Sequence, residues 1–242
     1  MDELRLTRFT DYQAYLLDHP SEWPILDSLC WIAISRFYRD RALFQSLEVA
    51  ILPALAERAA AHGQHKLTCW SLGCASGEEP YSLAILWNLA VAPRLPEGMT
   101  LDVLATDIDP QAIERGKQGC YGPSSVKDLL APWREQAFVP TASGLCLKPE
   151  HKKLVTFQEQ DVRRGMPEGP FDLILCRYLI FTYFDVALQQ RLLAQIMDRL
   201  HGGGALVIGT TDVLPTPFAQ LEPWPGCKLV YRKRDRLTGR EC

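Results

Sequence analysis

A run of ten residues, Gly73-Cys74-Ala75-Ser76-Gly77-Glu78-Glu79-Pro80-Tyr81-Ser82, limits what this chain can fold into more than any other stretch. It follows the apolar segment Leu67 to Leu72 and leads into Leu83, Leu86, Trp87 and Ala90, which recur at helical spacing. Strand, glycine turn and helix start in that order form the first unit of an open α/β sheet, which binds ligands at the carboxyl ends of its strands. Two acids close the turn. Glu78 and Glu79 would repel a phosphate, so the expected guest carries positive charge.

The remaining pattern extends that sheet. Residues 1 to about 65 read as helical, with Phe44, Leu47, Ile51 and Leu55 on one face and Asp40 placed as an N-cap. From 66 to 242 apolar strands alternate with amphipathic helices, dividing the chain into a helical N-terminal part and an α/β domain. Strands are expected at Leu101 to Thr106, near Val155 to Phe157, at Phe171 to Cys176 and at Ala205 to Gly209. A helix starts near Pro110, and another through Leu188, Leu192, Ile196 and Leu200 stops at Gly202-Gly203-Gly204. Leu221 to Lys233 reads as a hairpin turned by Pro225-Gly226. This alternation predicts a doubly wound, mostly parallel sheet covered on both faces. The proline-rich stretch of about 119–153 breaks the rhythm and predicts a small insertion with short antiparallel strands.

Three cofactors compete for the turn. A nucleoside triphosphate wants Gly-x-x-x-x-Gly-Lys-Ser/Thr, and no lysine follows Gly77. A dinucleotide wants Gly-x-Gly-x-x-Gly and a helix N-terminus free for pyrophosphate, whereas this turn is Gly-x-x-x-Gly closed by carboxylates. S-adenosylmethionine (SAM) has no phosphate but carries an ammonium, a sulfonium and a ribose. Glu79 can pair with the ammonium, and Asp107, ending the second strand, can accept both ribose hydroxyls. Only this ligand gives both acids a role. Alternatively, Glu78 and Glu79 favour the helix dipole and Asp107 caps the next helix.

Bulk properties exclude other classes. The 242 residues are 47% apolar, enough for a full core, and no apolar run is long enough to span a membrane. A formal net charge of −3 gives no basis for general nucleic-acid binding. Met-Asp-Glu-Leu-Arg-Leu has neither the basic start nor the apolar stretch of a secretory signal. The eight cysteines lack any Cys-x-x-Cys pair and read as buried thiols in a reducing cytoplasm. His62 and His65 have no nearby cysteine partners, so no metal site is expected.

Four segments then coincide with a known family. The decapeptide, Ala105-Thr106-Asp107-Ile108-Asp109, Phe171-Asp172-Leu173-Ile174-Leu175-Cys176-Arg177 and Phe37-Tyr38-Arg39-Asp40 resemble, in order, the chemotaxis-receptor glutamate methyltransferases, the CheR family. The likeness runs from about Glu22-Trp23 to the final hairpin. It implies a seven-stranded, Rossmann-like class I SAM methyltransferase with a helical N-terminal part and a small β insertion, releasing S-adenosylhomocysteine. It implies a cofactor site of Ser35, Arg39, Gly73, Ala75, Glu79, Asp107, Ile108, Asp161, Val162, Cys176 and Arg177. In it Glu79 meets the amino group, Asp107 the ribose, and Asp161-Val162 the adenine. Arg39, reaching into the cleft, and Tyr183, facing it, are the implied catalytic residues.

Departures bear on the acceptor. The family usually has Asn at Ala33 and at Tyr178, often Asn at Asp161, and a threonine at Ser35. The loop Tyr178 to Asp185 is one residue longer than the common pattern, and the basic first helices that hold the receptor have no counterpart here.

A carboxylate acceptor is already ionised at neutral pH and needs only a cation and a donor to aim it, which Arg39 and Tyr183 offer. No histidine lies in these motifs to serve as a base. The expected acceptor is thus a protein or peptide glutamate or a small-molecule acid. A small-molecule S, N or O acceptor and a non-catalytic SAM-binding module are the alternatives.

Overall fold

A computed structural model describes residues 4, 6, 8–23, 25–26, 35–215 and 218–235. Chain contacts divide it into two compact units, Met1–Ile34 and Ser35–Cys242. In the first, the helix Phe9–Asp18 is followed by a 3-10 turn over Pro20–Glu22. Arg8 pairs with Asp11 at 2.8 Å, and the Tyr15 ring stacks on His19. No described helix is long and apolar enough to cross a membrane.

The second unit is built on a seven-stranded sheet. Its strands are β1 (Lys66–Leu72), β2 (Thr100–Asp107), β6 (Val155–Glu159), β7 (Phe171–Cys176), β8 (Leu200–Ile208), β9 (Leu221–Trp224) and β10 (Cys227–Lys233), in the order β6-β2-β1-β7-β8-β10-β9. The first five neighbours run parallel, whereas β10 is antiparallel to both β8 and β9. The strand order reverses between β1 and β7, which opens the crevice where such sheets hold ligands. The expected doubly wound sheet is therefore present.

Alternation along the strands shows both faces buried. Leu67 and Cys69 of β1, Leu173 and Leu175 of β7, and Ala205 and Val207 of β8 enter one core. Their neighbours Trp70 and Leu72, Ile174 and Cys176, and Leu206 and Ile208 enter the other. The first core also takes Phe44, Leu47, Ile51, Leu52 and Leu55 from the helices Arg41–Ser46 and Leu52–Ala61 and the π-helical turn Leu47–Ile51 between them. Pro53 has no N–H for the turn before it, which accounts for the local widening. The pattern change near residue 65 marks where helices give way to strands, while the compact units part at Ile34 and Ser35, because these helices bury their apolar face against the sheet.

Two local expectations change. The helix Val186–Arg199 ends before the three glycines, which lie within β8; a Cβ on Gly204 would stand 3.0 Å from the Asp172 carbonyl oxygen, so glycine there permits close strand pairing. Asp40 stands at an N-cap position but caps nothing with its side chain.

The insertion is a separate three-stranded antiparallel sheet of β3 (Cys120–Tyr121), β4 (Phe138–Thr141) and β5 (Gly144–Leu147), ordered β3-β5-β4. Pairing sets Cys120 directly opposite Cys146, and the two form a disulfide. This corrects the reading of all cysteines as thiols. The partners lie 26 residues apart and become neighbours only through the strand pairing. Cys69, Cys74, Cys176 and Cys227 are free, while Cys30 and Cys242 lie outside the described residues.

Candidate functional site

The ends of β1 and β2 are tied together by main-chain bonds. Gly73 and Cys74 N–H both donate to the Thr106 carbonyl, at 2.8 and 3.0 Å. The Asp107 carboxylate accepts from Ala75 N–H at 2.8 Å through Oδ2 and from Asp109 N–H at 3.0 Å through Oδ1. Asp109, not Asp107, caps the following helix, accepting from Gln111 N–H at 2.8 Å. Burial raises the Asp107 carboxyl above its ordinary value, against the lowering effect of these N–H donors. Both oxygens accept main-chain bonds, with Ile108 N–H as a further donor, and the carboxylate keeps acceptor capacity for a ligand hydroxyl. Gly73 is a glycine for a protein reason: a Cβ there would meet Leu179 Cδ2 at 2.9 Å. The insertion supports the same turn, since Tyr121 Oη donates to the Ser76 carbonyl at 2.8 Å.

Next to this turn two carboxylates share one guanidinium. Arg177, buried at the end of β7, donates from Nη1 to Glu79 at 2.7 Å and from Nη2 to Asp40 at 2.5 Å, and also to the Arg39 carbonyl at 3.1 Å. Glu79 Oε1 further accepts from Ser71 Oγ at 2.8 Å. Burial alone would lower the Arg177 pKa, but the two carboxylates outweigh it and the net shift is upward. Within the trio two carboxylates face one guanidinium, a setting in which an added ammonium is favoured.

Tyr178 and Asp212 complete the site, and the sequence reading assigned a role to neither. Tyr178 Oη donates to the same Asp40 Oδ2 in a very short bond, and it lies 2.8 Å from Thr210 Oγ1. The Arg39 guanidinium carbon stands 3.9 Å over the Tyr178 ring. Asp212, buried in the loop after β8, accepts from Tyr178 N–H at 2.9 Å, Gly209 N–H at 2.7 Å and Thr182 Oγ1 at 2.5 Å. In the folded backbone, one feature marks Tyr178 and its surroundings. Tyr38, Asp40, Ala75 and Tyr178 are the non-glycine residues at positive φ among those described, and all lie in or beside this site. Such backbone strain gathers where function over-determines geometry.

The other expected residues are placed as follows. Ser35 hydrogen-bonds to the Glu78 carboxylate, whose pKa burial raises. Glu78 is 5% exposed, with Oε2 unpartnered. Ile108 is half-buried and Val162 buried. Asp161 receives a two-pronged bond from Arg163, both contacts at 2.9 Å, which lowers its pKa. Arg164 also lies 3.6 Å from Asp161. Cys176 is fully buried and its thiol is pushed up by that burial, which disqualifies it as a nucleophile. The tyrosine against Arg39 is Tyr178, whereas Tyr183 is 61% exposed and its hydroxyl bonds to no described residue. Ala33 lies outside the described residues.

Sheet order, acidic turn and Asp107 together define a class I SAM-dependent methyltransferase. The family model "CheR methyltransferase, SAM binding domain" matches residues 33–225, and the chain belongs to that family. A chemotaxis protein methyltransferase of Listeria innocua is 34% identical over 190 residues, covering 78% of this chain and 69% of the relative. One from Klebsiella aerogenes is 30% identical over 214 residues, covering 84% and 69%. A solved SAM-dependent methyltransferase of Methanosarcina mazei overlaps at 15% identity and a TM-score of 0.37, covering 62% of this chain and 55% of the other.

Proposed function

We propose that this methyltransferase acts on a carboxylate, the side chain of a glutamate in a protein acceptor. The observation that supports it is a cation at the cleft with no histidine hydrogen-bonded to the site among the described residues. Arg39 is set on the Tyr178 ring at the cleft, and none of the five histidines is hydrogen-bonded to a residue of this site. An ionised carboxylate needs a bidentate cation to aim it and no proton acceptor. When bound, SAM supplies a methyl group activated on a sulfonium. The chain's own part is to hold, orient and exclude water.

In this reading Asp107 holds the ribose through its remaining acceptor sites. Glu79 and the charge of its trio hold the ammonium, so Glu79 is shared between Arg177 and the cofactor. Gly73, Ala75, Ile108, Cys176 and Arg177 form the walls, Ser35 acts through Glu78, and Val162 with Asp161 borders the adenine. Arg39 aims the acceptor, and Tyr183, exposed at the rim, meets it on entry. The curated relatives are chemotaxis protein methyltransferases, which favours a protein acceptor over a small acid. The proposed setting is the cytoplasm, and rapid alkylation of source cells reports whether Cys120 and Cys146 are joined there.

The test is incubation of the full chain with methyl-labelled SAM in lysate of the source organism. Base-labile label in protein, lost with Arg39→Ala, is the expected result. Label confined to low-mass product overturns the protein acceptor, and base-stable label overturns the carboxylate.

A further inference from the structure

We propose that Tyr178 is the positioning residue for Arg39: its ring is the platform on which the guanidinium lies, and its hydroxyl fixes that platform in the cleft. The inference rests on the reading of Arg39 as the acceptor-side cation. Three separate devices hold the ring. Its backbone, at φ 55, is pinned by the N–H bond to Asp212 at 2.9 Å. Its hydroxyl is bonded to Asp40 and accepts from Thr210 N–H at 3.2 Å. Its edge fills the space beside Gly209, where any Cβ would lie 2.7 Å from ring carbons Cδ1 and Cε1. The segments that meet here, the Arg39-Asp40 turn and the exits of β7 and β8, all end on this one side chain.

The platform has a chemical consequence. A guanidinium stacked on an aromatic ring uses its face, so the contact consumes none of the N–H groups along its edge. That edge is the part that matches a planar carboxylate in two parallel bonds. The hydroxyl adds a second effect. By donating to Asp40 Oδ2, beside the Arg177 bond, it ties the ring to the buried Arg177 guanidinium through one shared carboxylate oxygen. Tyr178 touches no reacting atom in this account and acts through Arg39.

The test uses the full chain and begins with calorimetric binding of S-adenosylhomocysteine to the wild type. Failure there removes the methyltransferase site reading and is scored apart from the inference. Tyr178→Phe keeps the ring, Tyr178→Leu removes it, and side-chain resonances of Arg39 report the stack directly. Upfield ring-current shifts are expected in the wild type and in Tyr178→Phe, and are expected to vanish in Tyr178→Leu. For transfer of base-labile methyl label into lysate protein, Tyr178→Leu should raise the apparent KM about tenfold, the worth of one desolvated stacking contact, with Tyr178→Phe restoring most of it. Added guanidinium chloride should partly rescue Arg39→Ala but not the Arg39→Ala, Tyr178→Leu double variant, a distinction that a merely structural tyrosine would not produce. Wild-type resonances and wild-type KM in Tyr178→Leu overturn the proposal. If Tyr178→Leu does not fold, Gly209→Ala crowds the ring while keeping the tyrosine; wild-type transfer by that variant overturns the proposal, and a raised KM supports it.

Discussion

Arg177 is the residue on which the most depends. Removing it strands Glu79 and Asp40 as neighbouring, partly buried carboxylates with no cation between them. Breaking a buried pair from one side costs about 3–5 kcal/mol, far above the worth of a surface bridge. Arg177→Met is therefore expected to lower urea stability by that order, while Arg163→Met, at the more exposed Asp161 pair, should cost under about 1 kcal/mol. Asp107 supplies a pH prediction. Burial raises its folded pKa above the unfolded value, so its contribution to stability is complete below the unfolded pKa and is lost as pH rises through the folded one. In the role proposed for Asp107 ligand binding runs the other way, because ribose hydroxyls would donate to the ionised form. S-adenosylhomocysteine affinity, followed by calorimetry, should weaken on acidification at a higher pH than an ordinary aspartate would give, and Asp107→Ala should abolish binding. Glu79 and Asp107 were legible as site candidates because each sits at a strand end beside a turn. Tyr178 and Asp212 were not, since their roles arise from long-range bonds, with separations of 138 residues to Asp40 and 34 between the two.

At the scale of elements, the strands were legible and their ends were not. A continuous apolar run such as Leu173 to Cys176 states that both faces are covered, which gives the strand and its parallel neighbours together. The Gly202-Gly203-Gly204 run has two readings, helix stop or close strand pairing, and only the partner strand decides between them. The helix Pro110–Gln118 illustrates close pairing of another kind: a Cβ on Gly116 would lie 2.6 Å from the Phe157 ring of β6. Gly116→Ala should therefore destabilise by about 1–3 kcal/mol through overpacking, despite its better helix propensity. Denaturant midpoints of the two proteins would show the sign. The disulfide closes 26 residues, for which chain entropy alone gives about 3–4 kcal/mol. The Cys120→Ser, Cys146→Ser variant should lose stability of that order, and an unchanged midpoint would show that the bond does not constrain the unfolded chain.

For the whole molecule, fold class and cofactor were legible because they follow from local periodicity and from one turn, and the matching family model supports both. The limits of the folding unit were harder to read. A change from helical to alternating pattern near residue 65 says where element types change, and says nothing about which helices share the core. Phe37, Phe44, Leu47, Ile51, Leu52 and Leu55 are each 0–1% exposed, all within the unit that contains the sheet. A chain of residues 35–242 is accordingly expected to unfold cooperatively, and one of 66–242 to lack a cooperative transition, as monitored by circular dichroism against temperature.

The bridge between β3 and β5 also turns part of the backbone into a closed ring. Thr141, Ala142 and Ser143, at the exposed tip between β4 and β5, lie inside that ring. A protease that nicks the tip cannot release either fragment while the bridge stands. The nicked chain should run as one species on a non-reducing gel and as two after a thiol is added. Such a cut would leave the strand that carries Tyr121 covalently attached to both halves, so the prop under the glycine turn outlasts a break in the chain that built it.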